Sequence, residues 1–343
     1  MKKLAFAISL LGISAAGHAH VRWFTESSPS VPQQSYQFDQ VYLTLTVLAI
    51  AYCLFCYWLE RVSLKNVRVS HFTNDRITFS GFEWNILKAS IALMFMLNIL
   101  DGIFLAPNLP PSEIGTSYAQ IFQILVVVSA AASNCIFAIA ILSCLVATGL
   151  NYGVAPSIDY IFEFLAIALA YLSLSINDQL TGWRARYPRL NRLDLSPSIF
   201  LRTLIGLQLV VLAIHNKLLD PNLGLQFLSQ YPHVNFLNWA GLDFFKDIHF
   251  VYSAGLAELC FGLLLIFNIS TRFVSLCVLF FFSVTSAMFG LHELIGHIPI
   301  LVGLSIVAIH SKNKQDLESL SLFLSQIKSN LGAGVQPAIK KPH

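Results

Sequence analysis

The chain has 343 residues, of which 56% are hydrophobic and only 11% are charged. Water-soluble domains carry about 25% charged residues, so this composition excludes an ordinary soluble globule and points to lipid around most of the chain. The net charge of +3 comes without a basic stripe or a nucleic-acid-binding module, which excludes a nucleic-acid partner.

Residues 1–19 read as a signal peptide. Met1-Lys2-Lys3 is a basic start, Leu4 to Ala16 is an apolar stretch too short for a comfortable span, and Gly17-His18-Ala19 is a small-x-small cleavage motif. Cleavage after Ala19 makes His20 the first residue of the mature protein. Cleavage after Gly17 leaves His18-Ala19-His20 at the front. Either way the mature N-terminus lies outside the cytoplasm. An N-terminal histidine offers a metal its imidazole and a free α-amino group, so the stretch GHAHVRWF, residues 17–24, is a candidate chelate.

An external segment, 20–39, leads into a transmembrane region, 40–197. A span needs about 20 apolar residues. Apolar runs occur at 40–59, 86–105, 158–176, 198–218, 248–268 and 272–291, with a shorter one at 294–310. The run 116–150 carries no charge and is either one overlong helix or two spans joined by a tight turn near Ser133-Asn134. Loop charge arbitrates, because Lys and Arg in short loops stay cytoplasmic. With the N-terminus outside, Arg61, Lys65, Arg68, Arg76 and Lys88 are inside. Only a double crossing also puts Arg184, Arg186, Arg189, Arg192, Arg272, Lys312 and Lys314 there. The expected fold is therefore an all-α polytopic bundle of about nine spans, two of them only about 17 residues long. Residues 312–343 form a cytoplasmic tail.

This topology gathers histidines. Leaving out the tail His343, six of the eight that remain after cleavage (all but His71 and His310) fall on the outer face. For each one alone, packing at the membrane–water interface is the simpler explanation. As a group they are candidate ligands, because imidazole suits copper and zinc. His20, His215, His292 and His297 are the metal candidates. In HELIGH, residues 292–297, the histidines are five apart and do not share a helix face, so no two-histidine zinc-protease site forms, whereas Glu293 and His297 do share one. Cys53-Leu-Phe-Cys56 lies inside a span rather than after a strand, and its expected role is packing. The six cysteines all fall in or beside apolar runs, a weak basis for a disulfide framework. Glu258 sits near mid-span, where an ionisable group is costly and usually paired or functional. Asp101 and Glu163 lie close enough to span ends to be solvated.

The stretches IFLRTLIGLQLVVLAIHNKLLDPN and AGLAELCFGLLLIFNISTRF resemble the DoxX-like family of four-helix membrane proteins. Arg202 at a helix start, Lys217 at its far end, the G-x-x-E of Gly255 to Glu258, and Thr271-Arg272 carry the resemblance, which covers residues 198–311. The long 219–247 loop and the five preceding spans depart from the family pattern. The resemblance implies a four-helix module and a link to quinol oxidases or sulfur-stress functions. From the residues themselves, Arg202 and Arg272 are expected to be interfacial anchors that set orientation, and Lys217 is expected to pair with Glu258 if their helices adjoin.

The expected function is that of a bacterial inner-membrane protein with a copper-binding or quinone-linked redox role at the periplasmic face. Lys217 and Glu258 would meet the quinone, other membrane redox subunits are implied partners, and no catalytic residue stands out. The alternative is a non-catalytic scaffold or assembly subunit. A transporter is the weaker third option, since no inverted repeat or pair of broken spans is visible.

Overall fold

The computed structural model describes residues 36, 39–63, 81–106, 109, 116–153, 157–186 and 196–310. Among these the chain is helical and contains no strand. The signal peptide, His20, most of the external N-terminal segment and the tail lie outside the described residues. The helices are α1 (Gln40–Ser63), α2 (Phe82–Leu100), α3 (Thr116–Ser129), α4 (Asn134–Tyr152), α5 (Ile161–Arg186), α6 (Pro197–Ala213), α7 (Asn222–Gln230), α8 (Phe236–Trp239), α9 (Asp247–Ile266), α10 (Thr271–Phe289) and α11 (Leu291–Ile309).

Seven of them are long and apolar enough to cross a membrane: α1, α2, α4, the Ile161–Asp178 part of α5, α6 with its continuation to Leu218, α9 and α10. The outward face of α1 has the composition lipid requires. Leu43, Val47, Ile50, Leu54 and Trp58 recur every three or four residues and are each more than half exposed. The opposite face, with Tyr42, Leu45, Ala49 and Cys56, is buried. This is the pattern of a helix between lipid and a bundle.

The uncharged run 116–150 is broken. α3 ends at Ser129, and Ser133 caps α4 by accepting a hydrogen bond from the Ile136 N–H at 3.4 Å. Two of the nine expected spans, α3 and α11, fall short of the other seven. At 14 residues α3 is about 21 Å long, below the roughly 30 Å of a hydrocarbon core. In α11 the apolar segment is the 17-residue Glu293–Ile309, shorter than the other seven.

The helices run antiparallel in sequence, so the bundle has two ends. At one end His310 Nε2 meets Glu83 at 2.7 Å and the Ser270 N–H donates to Glu60 at 2.9 Å. Lys88 reaches the Ala132 carbonyl there at 3.1 Å. Arg202 donates to the carbonyls of Leu265 and Ile266 at the C-terminus of α9, and Arg272 donates to Ala308 at the C-terminus of α11, at 2.9 Å. Both guanidinium residues are buried. Each satisfies carbonyls that a helix end leaves open, where the helix dipole also favours a cation. The other end carries α7, α8 and residues 101–106, 109, 153 and 157–160, and it holds the polar cluster described next.

Candidate functional site

The site begins with a break in helix geometry. After Ala213, α6 widens into one π-helical turn, Ile214–Leu218. Such turns insert an extra residue and recur at functional positions. Here the turn leaves His215 facing out while Asn216 and Lys217 both point inward, at 4% and 0% exposure.

Lys217 pairs with Glu258. Its Nζ lies 2.5 Å from Glu258 Oε1, and Glu258 is itself buried. The Gly255-x-x-Glu258 spacing has a steric reason. Gly255 and Glu258 share a face of α9, and a Cβ at 255 would stand 3.1 Å from the Lys217 Cβ and 2.9 Å from Leu218 Cδ2. Glycine lets the π turn lie against α9 so that the lysine reaches the carboxylate one turn on.

Other acids surround this pair. Asp159, just ahead of α5, and Glu293, on α11, lie close enough to act electrostatically on Lys217. Asn216 Nδ2 donates to Asp159 Oδ1 at 3.3 Å, and His215 Nδ1 stands 3.7 Å from the same oxygen. Gln208 fixes the start of α5 by donating to the Asp159 carbonyl at 2.8 Å and accepting from the Phe162 N–H at 3.1 Å. Glu163, one turn further on, is 1% exposed. The expectation that it is solvated near a span end is overturned: its helix face packs into the bundle beside α6. Asp101 is exposed, as the sequence implies. His297 is fully buried, with Nδ1 at 2.9 Å from the Glu293 carbonyl and 3.2 Å from its carboxylate, so Nδ1 carries the proton and donates. Glu293 and His297 therefore share a face of α11.

Tyr36 and Asp39, just ahead of α1, also contact this end. Tyr36 donates its hydroxyl to the Lys217 carbonyl at 2.5 Å, and burial pushes the phenol above its ordinary range. Asp39 accepts from the backbone N–H groups of Val41 and Tyr42 at 2.8 and 3.2 Å and from His249 Nε2 at 3.1 Å. Desolvation works the other way, yet these bonds hold its carboxyl below the usual range. His249 can donate from Nε2 because its Nδ1 accepts the Lys246 N–H at 3.1 Å.

Of the metal candidates, His20 lies outside the described residues. His215 faces Asp159, His297 contacts Glu293, and His292 lies in the first turn of α11. Among the described residues no group of three or more His, Cys, Asp or Glu could hold a metal ion. Asp159, Asn216 and Gln208 were not singled out by sequence reasoning. The one available signal was an acid at the very start of the 158–176 run. Arg202, Lys217, Gly255, Glu258 and Arg272, which carry the DoxX-like resemblance, all make helix–helix contacts. No protein-family model, no curated protein sequence and no solved structure matches this chain.

Proposed function

We propose that this is a DoxX-like inner-membrane protein whose working centre is the Lys217–Glu258 pair, which binds a quinone headgroup in a redox role at the periplasmic face. The observation that carries this reading is the buried Glu258 Oε2. It has no hydrogen-bonding partner among the described residues, although Oε1 is bound to Lys217. An unsatisfied buried acceptor costs about 1–3 kcal/mol, and ionisable groups inside a membrane bundle mark functional sites. A quinone and its quinol match the pair in both states. The Lys217 ammonium donates to a quinone carbonyl, and the Glu258 carboxylate accepts from a quinol hydroxyl.

The test is direct binding of a benzoquinone substituted at all four ring carbons to the full chain in lipid nanodiscs. The doubly neutral variant Lys217→Met with Glu258→Leu keeps the volume and removes both charges. A loss of affinity of tenfold or more in that folded variant is expected. Equal affinity in the two proteins, or no binding to either, defeats the reading and leaves the scaffold alternative.

The orientation belongs to the same proposal: nine crossings, with this end outside and the C-terminus inside. A reporter fused at Arg186 should then behave as cytoplasmic, and an external signal would remove the nine-span arrangement. Copper at His20 is a second reading, favoured by one observation. Tyr36 and Asp39, downstream of His20 in the sequence, bond to the end that bears His215 and His297. Metal analysis of the same preparations, with and without an alanine placed before His20, decides it.

A further inference from the structure

The loop between α6 and α9 buries most of its large apolar side chains. Leu225, Phe227, Leu228, Val234, Leu237 and Phe245 all lie in the core at this end of the bundle. The turn 239–244 is the exception: Trp239 is 76%, Leu242 40% and Phe244 63% exposed. That turn is firmly tied. Asn235, fully buried, donates through Nδ2 to the Phe245 carbonyl at 3.3 Å and to Asp247 Oδ1 at 2.8 Å. Its Oδ1 accepts from the Asn238 N–H at 3.3 Å. The Leu242 N–H donates to the Leu237 carbonyl at 3.0 Å, and the Phe245 N–H to the Leu242 carbonyl at 2.8 Å. Gly241, at φ +90°, supplies the left-handed residue that this reversal needs. Three bulky apolar side chains are thus left exposed on a backbone held at several points.

We propose that Trp239, Leu242 and Phe244 form an interfacial anchor, seated among the lipids of the leaflet at this end of the bundle. Depth decides the occupant. With 20 residues, α9 is about 30 Å long and matches the hydrocarbon core with nothing to spare, so Asp247 stands at the core boundary. The Asn235 amide ties the turn to that same residue. The polar layer beyond the core is about 5–8 Å thick on each side, and a turn bonded to Asp247 falls at its depth. Tryptophan is enriched at this level because its ring is apolar while its N–H is polar. Asp243, exposed between Leu242 and Phe244, limits the insertion: a carboxylate is tolerated among headgroups and costly in the core. Lipid at that depth covers the three side chains without any further partner. The anchor is independent of what the Lys217–Glu258 pair binds.

The experiment uses the full chain in lipid nanodiscs, one copy per disc, with phosphatidylcholine brominated either just below the headgroup or near the chain ends. The chain has five tryptophans, so Trp239 is read as the emission lost in Trp239→Phe, which keeps a ring at an exposed position. Shallow bromines should quench that emission more strongly than deep ones, placing the ring roughly 5–10 Å into the headgroup–acyl boundary. Iodide in the buffer should leave it unquenched. Phe244→Asp, also at an exposed position, should lift the turn and cut the shallow quenching about twofold or more. Quenching by iodide alone overturns the proposal and opens the patch to a soluble protein partner. Quenching by neither probe overturns it as well, because another part of the chain then covers the ring. Equal shallow quenching in Phe244→Asp and wild type overturns the joint anchor.

Discussion

Replacing Lys217 with methionine should destabilise the folded protein by about 3–5 kcal/mol, far more than replacing Lys217 and Glu258 together. The asymmetry follows from burial. Lys217 is 0% and Glu258 4% exposed, so removing the ammonium alone leaves a carboxylate that neither water nor a cation solvates. Asp159 and Glu293 add to the imbalance, because Lys217 is the cation they also act on. Glu258→Gln leaves the converse defect, a buried ammonium whose bound oxygen has become a neutral amide. In Lys217→Met with Glu258→Leu neither charge remains, and the cost should fall to about 1 kcal/mol or become favourable. Reversible unfolding in mixed micelles of wild type, Lys217→Met, Glu258→Leu and the double variant measures the cycle. Additive single and double effects would mean that the two side chains do not interact in the folded state.

The second large effect lies where α6 crosses α9. A Cβ at Gly262 would sit 2.5 Å from the Gly206 carbonyl oxygen and 3.0 Å from the Val210 nitrogen. The reciprocal Cβ at Gly206 would sit 2.8 Å from the Gly262 carbonyl. These obstacles are backbone, so the helices themselves must part. Small residues that let backbones approach are a main source of helix association in lipid, where apolar burial alone drives little. Gly262→Ala should cost about 1–3 kcal/mol, and Gly262→Val should prevent recovery of folded protein. Gly149→Ala is the control. That glycine lies in α4 with nothing within 4 Å of an added Cβ, and alanine there should be neutral or favourable by up to about 1 kcal/mol. Equal losses at 149 and 262 would show that helix propensity, not the crossing, sets the effect.

Neither effect can be read from one helix at a time. The sequence alone determined which segments are helices and that their surroundings are lipid, because a bilayer demands long uncharged runs and each run announces itself locally. It also pointed to the break in 116–150, through the charges of the loops beyond it, and fixed the shared face of Glu293 and His297 by helical periodicity. It placed Lys217 and Glu258 at different depths of different runs and left their meeting conditional on which helices adjoin.

Tertiary structure decided the partners. The π turn after Ala213 and the missing Cβ of Gly255 brought Lys217 to Glu258. Helix packing turned Glu163 inward despite its position near a span end. It also made Arg202 cap α9 and Arg272 cap α11. A run's hydropathy constrains its depth and length, but the rotation of each helix is set by whichever neighbours touch it. In a bundle where lipid is as apolar as the core, hydrophobic pattern barely distinguishes the two faces, and only contact between helices gives a polar residue its role.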